Sequence, residues 1–275
     1  MKKTLKKTIT LLGLLSIAEK INFYKTQFQN RNKKKKFILQ NPTIKLPPDF
    51  YLYETFGLNY DKYYYGGKET AEWIFNHLKK HINLKKTKVL DWGCGPARIL
   101  RHVPNIIKDS TIFGSDYNKE YVDWCTKNIP NIIVKKNNLA PQLSFNDNYF
   151  NVIYSISIFT HLSEKMHHEW MRELNRVSKK DAVLFITTHG NASKSRLSPQ
   201  EQINFDKGLF VEHNYKVEGN RLYASYQPKK FFKNLSISNG FTILEHIERG
   251  IINGKPTQDI WIIKKTENVL VKKEF

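Results

Sequence analysis

The sequence predicts an α/β domain: a mostly parallel sheet with helices packed on it. Two stretches carry this expectation. From Lys88 a short apolar strand runs into the glycine-rich turn Asp91-Trp92-Gly93-Cys94-Gly95-Pro96-Ala97, and Arg98-Ile99-Leu100-Arg101 then opens a helix. A second strand over residues 111–115 ends on Asp116, 25 residues after Asp91, which is the length of one strand–helix–strand unit. Further strands are expected at residues 131–134, 152–157 and 182–187, the last preceded by a turn at 178–181. A helix over 166–177 carries Trp170, Leu174 and Val177 on one face.

The turn and the acid suggest a ligand. Gly93 and Gly95 let the backbone approach closely and adopt angles that side chains forbid. The helix start behind them offers free N–H groups to an anionic group. A carboxylate at Asp116, at the end of the second strand, can accept from both hydroxyls of a ribose. An adenosine-type ligand follows. The nicotinamide fingerprint needs glycine at the sixth position of G-x-G-x-x-G, where this chain has Arg98.

The lead of apolar-apolar-Asp91-x-Gly93-x-Gly95, with Asp116 after the second strand, resembles motif I of the class I S-adenosylmethionine-dependent methyltransferases. Ala97 stands where that family usually has a third glycine. The likeness extends through Phe145 to Asn151 and Ile158-Phe159-Thr160-His161-Leu162, and covers about residues 60–265. The look is that of bacterial enzymes acting on small molecules or saccharides. It implies a Rossmann-like, seven-stranded, mostly parallel sheet with helices on both faces, closed by antiparallel strands at 241–247 and 258–263.

The resemblance also implies S-adenosyl-L-methionine as cofactor and assigns roles. Gly93 and Gly95 shape the floor under the methionine moiety, and Asp91 organises the turn and meets the amino group. Asp116 holds the ribose, Tyr117 lies along the adenine and Asn138 contacts it, where the family often has an acid. Ser155 and Ser157 face the sulfonium, and Gly67 approaches the methionine end from just before a helix starting near Glu69. His161 is the candidate base, against a capping or packing role. His189 and, on a hairpin around Glu218-Gly219-Asn220, His213, Tyr223 and Tyr226 are candidates for the acceptor site, against plain packing beneath a lid. His161, His167 and His168 lack the i, i+4 pair of a zinc helix, so no metal is expected.

Composition bears on location and partners. The 275 residues carry a formal charge of +20, and residues 1–36 hold eleven basic residues against one acid, Glu19. Leu5, Ile9, Leu12 and Leu15 fall on one helical face bordered by lysines, which suits an anionic membrane surface. A signal peptide cleaved after Ser16-Ile17-Ala18 and a helix packed on the domain are the competing readings. The longest apolar run is too short to span a bilayer. Two cysteines, Cys94 and Cys125, fit a reducing compartment, and the expected location is cytoplasmic with peripheral membrane contact.

Of the basic residues 37 are lysine and 8 arginine, which argues against a nucleic-acid partner. The expected acceptor is therefore a small molecule or saccharide, such as a lipid-linked envelope glycan precursor. An RNA or protein methyltransferase, or a non-catalytic cofactor-binding module, is the alternative. Expected domains are a basic helix and linker at 1–49, the catalytic domain at 50–268 with a lid insertion at 190–240, and a tail at 269–275.

Overall fold

The computed structural model describes residues 15–214, 218–219, 223–252 and 254–266. Leu5, Ile9 and Leu12 of the expected amphipathic stripe, and the tail at 269–275, lie outside the described residues. The chain divides into two compact units, residues 1–67 and 68–275.

In the first unit, helix α1 (Leu15–Gln40) runs straight through Arg31 and Lys33 to Lys36, so the linker part of the expected 1–49 segment, read as residues 31–49, is helical up to Gln40. Lysine is a good helix former, and the helix stops only at Asn41-Pro42. Helix α2 (Asp49–Phe56) ends on Gly57 in the left-handed conformation. Helix α3 (Tyr60–Leu78) begins earlier than Glu69, because Asn59 caps it by accepting from the Lys62 N–H. Gly67 therefore lies inside a helix and not in the entry turn expected for it.

Phe37, Leu52, Leu58, Tyr60 and Tyr63 form the core of this unit. Beside them Asp49 is buried and accepts from Gln27 Nε2 (2.9 Å), Lys34 Nζ (2.8 Å) and the Tyr60 hydroxyl (3.1 Å). Burial works against its ionisation, but these bonds outweigh it and hold the carboxyl below the usual carboxylate range.

The second unit is built on a seven-stranded sheet. Its strands are β1 (Lys88–Trp92), β2 (Thr111–Asp116), β3 (Ile133–Lys136), β4 (Phe150–Ser155), β5 (Ser178–Thr188), β8 (Phe241–Ile247) and β11 (Asp259–Lys265), in the order β3-β2-β1-β4-β5-β11-β8. β11 runs antiparallel to both β5 and β8, and the other pairs are parallel. β5 starts at Ser178, so the residues expected as a turn belong to the strand, with Asp181 at φ +62°.

Residues of the sheet alternate between two cores. Leu90 and Trp92 join Trp170, Leu174 and Phe232 of helices α6 (Glu164–Val177) and α8 (Lys229–Ser238) on one side. Val89 joins Ala71, Ile74, Phe75 and Leu78 of α3 and Cys125 of α5 (Lys119–Asn128) on the other. Both faces are thereby covered, as parallel sheets require.

After the glycine turn the structure departs from expectation. The segment is a 3-10 turn (Leu100–His102) followed by one turn of α-helix, α4 (Val103–Ile106). Pro104 removes an N–H from the helical ladder there. Between β5 and β8 lie a 3-10 turn (Asn191–Arg196), helix α7 (Pro199–Asp206) and a hairpin of β6 (Val211–Asn214) and β7 (Tyr223–Tyr226). Short strands β9 (Ile251–Ile252) and β10 (Lys255–Pro256) pair before β11.

Candidate active site

The strand order reverses between β1 and β4, and the loops at their carboxyl ends form the crevice in which such sheets bind ligands. The glycine turn is fixed there. The N–H groups of Gly93 and Cys94 both donate to the Ser115 carbonyl, at 2.8 and 3.0 Å. Gly93 has φ +80° and Gly95 +53°, and a side chain at Gly93 would collide with Ile158. Gly114 in β2 is needed for the same packing: a Cβ there would stand 2.5 Å from Leu100 and 2.9 Å from Cys94 Sγ.

Asp116 is buried at the end of β2, with Oδ2 accepting from the Gly95 N–H at 2.8 Å and Oδ1 from the Asn118 N–H at 2.9 Å. Burial nevertheless raises its carboxyl above the ordinary value. Asp91, also buried, is pushed up to about 7 by desolvation; the Tyr154 hydroxyl and Arg98 oppose this, and the charge of Asp116 adds to it. Two buried carboxylates thus face one turn, both raised by desolvation, with Asp116 also bonded to the turn's backbone.

A small cavity of about 70 Å³ opens beside Asp116, walled by Trp92, Gly93, Tyr117, Asn138, Leu139 and Ile158 among others. His161 lines it too, with its Nδ1–H donating to the Tyr223 carbonyl at 2.7 Å and burial lowering its pKa. The hairpin tip covers this cavity. The Gly219 N–H donates to the His161 carbonyl (2.9 Å), the Tyr117 hydroxyl to the Gly219 carbonyl (3.3 Å), and the Ser163 N–H to Glu218 Oε1 (2.9 Å).

A larger cavity of about 470 Å³ lies across Ile156-Ser157-Ile158, whose first two residues face it while the third faces the small one. Its wall includes Trp73, Arg98, Thr187, His189, Arg196 and Gln258. Ser157 sits at φ +63°, held by its N–H to Thr187 Oγ1 (2.9 Å) and its hydroxyl to Gln258 Oε1 (2.9 Å). Such over-determined backbone strain is typical of functional loops. His189 donates from Nδ1 to the Ser225 carbonyl at 3.1 Å, which leaves Nε2 as its acceptor atom. Burial, helped by nearby Arg196, brings its pKa down to about 4, so the ring is neutral at pH 7.

The structure therefore gathers Asp91, Gly93, Gly95, Asp116, Tyr117, Asn138 and Ser155 at one crevice and sets His189 in the adjoining cavity. It does not bring His213, Tyr223 or Tyr226 to the cavity wall. His213 Nε2 meets Glu201 Oε1 at 2.9 Å, the Tyr223 hydroxyl donates to Glu212, and the Tyr226 ring packs between His189 and His213. Gly67 belongs to the other unit. Arg98, Arg196, Arg249, Trp73, Thr187 and Gln258 were missed from sequence, and the scarcity of arginine was the one signal that could have drawn the eye to three of them.

A Rossmann-like crevice with a glycine turn and an acid on the second strand defines a nucleoside-binding α/β enzyme. Residues 89–181 match the family model described as a methyltransferase domain. A SAM-dependent methyltransferase from Methanosarcina mazei superposes with a TM-score of 0.52 at 20% identity, over 69% of this chain and 97% of that one. One from Aquifex aeolicus gives 0.51 at 16%, over 80% and 98%, and one from Mesorhizobium loti gives 0.51 at 12%, over 71% and 98%. No curated protein matches the chain. Over residues 89–181 the chain carries a methyltransferase domain, and its cofactor is S-adenosylmethionine.

The residues present fit that cofactor. Ser155 Oγ at the end of β4 and Asn137 Oδ1 after β3 are buried polar atoms without a partner, and a side chain at Gly95 would meet only open space. Asn137, beside the expected Asn138, thus offers an unused acceptor for an exocyclic amine.

Proposed function

We propose that this enzyme transfers the methyl group to a small molecule or saccharide bound in the 470 Å³ cavity. That cavity carries the reading: it adjoins the glycine turn, is sized for a small ligand, and is lined by hydrogen-bonding side chains. S-adenosylmethionine supplies a methyl group on a sulfonium, an already activated donor. The chain's own tasks are then alignment and exclusion of water.

In this reading Asp116 receives the ribose hydroxyls and Asp91 the amino group. Gly93 and Gly95 keep the floor clear. Arg98, whose Nη1 donates to Thr70 Oγ1 at 3.0 Å, stands nearest the turn and takes the carboxylate. The small cavity is too tight for a nucleoside, so the turn at Glu218–Gly219 lifts to admit it and closes over it. His189 Nε2 takes the proton from an acceptor hydroxyl, and His161 anchors the hairpin.

The test is transfer of labelled methyl to a panel of cell-envelope saccharides, small hydroxylated metabolites, RNA and protein. Labelling confined to RNA or protein would overturn the proposal.

A second reading concerns location. On α1, Ile21, Tyr24, Phe28 and Leu39 fall on one helical face and are exposed, with Lys20, Lys25, Arg31 and Lys35 exposed around them. We infer peripheral contact with an anionic membrane through this face; among the described residues no helix is long and apolar enough to cross one. Sedimentation with phosphatidylserine vesicles, against phosphatidylcholine alone, is expected to fall in a Tyr24→Ser/Phe28→Ser variant. Equal sedimentation of variant and parent would remove the face from the interaction.

A further inference from the structure

The larger cavity has an unusual wall. Only 8 of the 45 basic residues are arginine, yet Arg98, Arg196 and Arg249 all line it, and no lysine among the described residues does. Arginine presents a rigid fork of donors that matches a carboxylate or phosphate, whereas lysine is the ordinary solubilising cation of this surface.

Arg98 is accounted for by the cofactor's single carboxylate. Arg196 and Arg249 are left over. They come from separate segments, the 3-10 turn after β5 and the turn between β8 and β9. Both are exposed at the cavity, and neither side chain makes an ion pair or hydrogen bond among the described residues. No acid stands in the wall to neutralise them.

Their setting is built and not incidental. Arg249 is held at φ +53°, a left-handed conformation that non-glycine residues rarely adopt. Its N–H donates to Oδ1 of the buried Asp259 at 3.3 Å, while Oδ2 of the same carboxylate meets His246 Nε2 at 3.2 Å. A further donor points the same way. Gln258 Oε1 accepts from both Ser157 Oγ (2.9 Å) and Thr187 Oγ1 (2.7 Å), so its amide NH2 has no partner among the described residues. Two guanidinium groups and an amide offer donors to the cavity beside the hydroxyls of Ser193 and Thr257, and among the described residues no carboxylate lines it. A wall so rich in donors suits a ligand whose recognised group only accepts.

Resting on the methyltransferase reading of this cavity, we propose that the methyl acceptor is a small oxyanion, its carboxylate or phosphate held by Arg196 and Arg249 with the group to be methylated facing His189. A bound anion also offsets the charge of Arg196 on His189, which makes that ring a better base when the acceptor is present.

The test uses the full chain saturated with S-adenosylhomocysteine, so that the cofactor side is filled. Inorganic phosphate and malonate are then titrated separately by calorimetry, and the tighter of the two identifies the oxyanion. Binding of at least one is expected, with a loss of tenfold or more in an Arg196→Gln/Arg249→Gln variant and no change in Lys127→Gln. The double variant is expected to keep its S-adenosylhomocysteine affinity within twofold, which also shows that it is folded. Failure of S-adenosylhomocysteine to bind would sink the cofactor reading. If it binds while neither anion does, or if the double variant binds the anion as the parent does, the oxyanion proposal alone falls. As a second arm, a hydroxylated sugar phosphate is expected to accept methyl at least tenfold better than its neutral parent sugar; the reverse preference overturns the proposal.

Discussion

The two cavities flanking Ile156-Ser157-Ile158 differ in both wall and support. The smaller is framed by Trp92, Tyr117, Leu139 and Ile158 around one buried carboxylate, and its floor is backbone pinned to β2. The larger is framed by arginines, hydroxyls and a histidine from the loops after β4, β5 and β8. The first is lined from the loops that follow β1, β2, β3 and β4, with Trp170 and Gly219 added from farther along the chain. The second is assembled from residues between Thr70 and Gln258, and in the proposed reading it is where the acceptor is recognised. The contrast teaches that cofactor binding and acceptor choice can be altered separately.

The sharpest break of this division is Asp116→Ala. Two charge-assisted hydrogen bonds to a ribose are lost, at least about 3 kcal/mol, so S-adenosylhomocysteine affinity is expected to fall about 100-fold or more. Calorimetry measures it, with thermal unfolding as the check on folding. An unchanged affinity would take Asp116 out of the site.

His189→Gln probes the other cavity. Loss of a proton acceptor there is expected to lower kcat about 100-fold while leaving S-adenosylhomocysteine affinity unchanged. With its pKa near 4, His189 is neutral throughout pH 6–8, and it contributes no titration to the rate over that window. A kcat close to that of the parent would show that no base is used at this position.

Asp91 offers a smaller, pH-dependent effect on the cofactor side. Its carboxyl titrates near 7 in the free protein, and the cofactor's ammonium favours the ionised form. Binding then releases a proton. Affinity for S-adenosylhomocysteine is expected to rise with pH, by up to about tenfold per unit, and to level off above about 7. An Asp91→Asn variant should show no such rise. A flat profile in the parent would mean that Asp91 is ionised before the ligand arrives.

These expectations also mark what was legible in the sequence. The gathering of Asp91, Gly93, Gly95 and Asp116 could be read because these residues are near one another in sequence: three sit on one turn, and Asp116 ends the next strand. The acceptor half could not. Arg249 reaches the cavity through the turn between β8 and β9, and Gln258 through the entry to β11, positions that no local pattern connects. His213 and Tyr223 looked functional as polar residues on a lid, but nearby Glu201 and Glu212 claim them. Helix limits were misjudged where a cap or a proline decided them, at Asn59 and Pro104. The stretch from residue 31 read as linker because of Pro42, Pro47 and Pro48, although the lysine run before them is helix as far as Gln40.

The smallest effect concerns the glycine turn itself. Ala97 occupies the position where the family usually has a third glycine, and it lies fully buried at φ +58°. The backbone thus keeps the conformation that glycine would favour, and the methyl group is the only departure. A left-handed alanine costs about 1 kcal/mol, partly offset by the greater freedom of glycine in the unfolded chain. Its methyl is also packed against the Val89 and Leu100 core, which glycine would forfeit. Relief of strain and loss of packing oppose each other at about the same size, and the strain term is expected to prevail narrowly. Ala97→Gly should raise stability by about 0.5 kcal/mol in urea unfolding and leave S-adenosylhomocysteine affinity unchanged. A loss of 1 kcal/mol or more would show that the buried methyl, and not the backbone angle, governs this position.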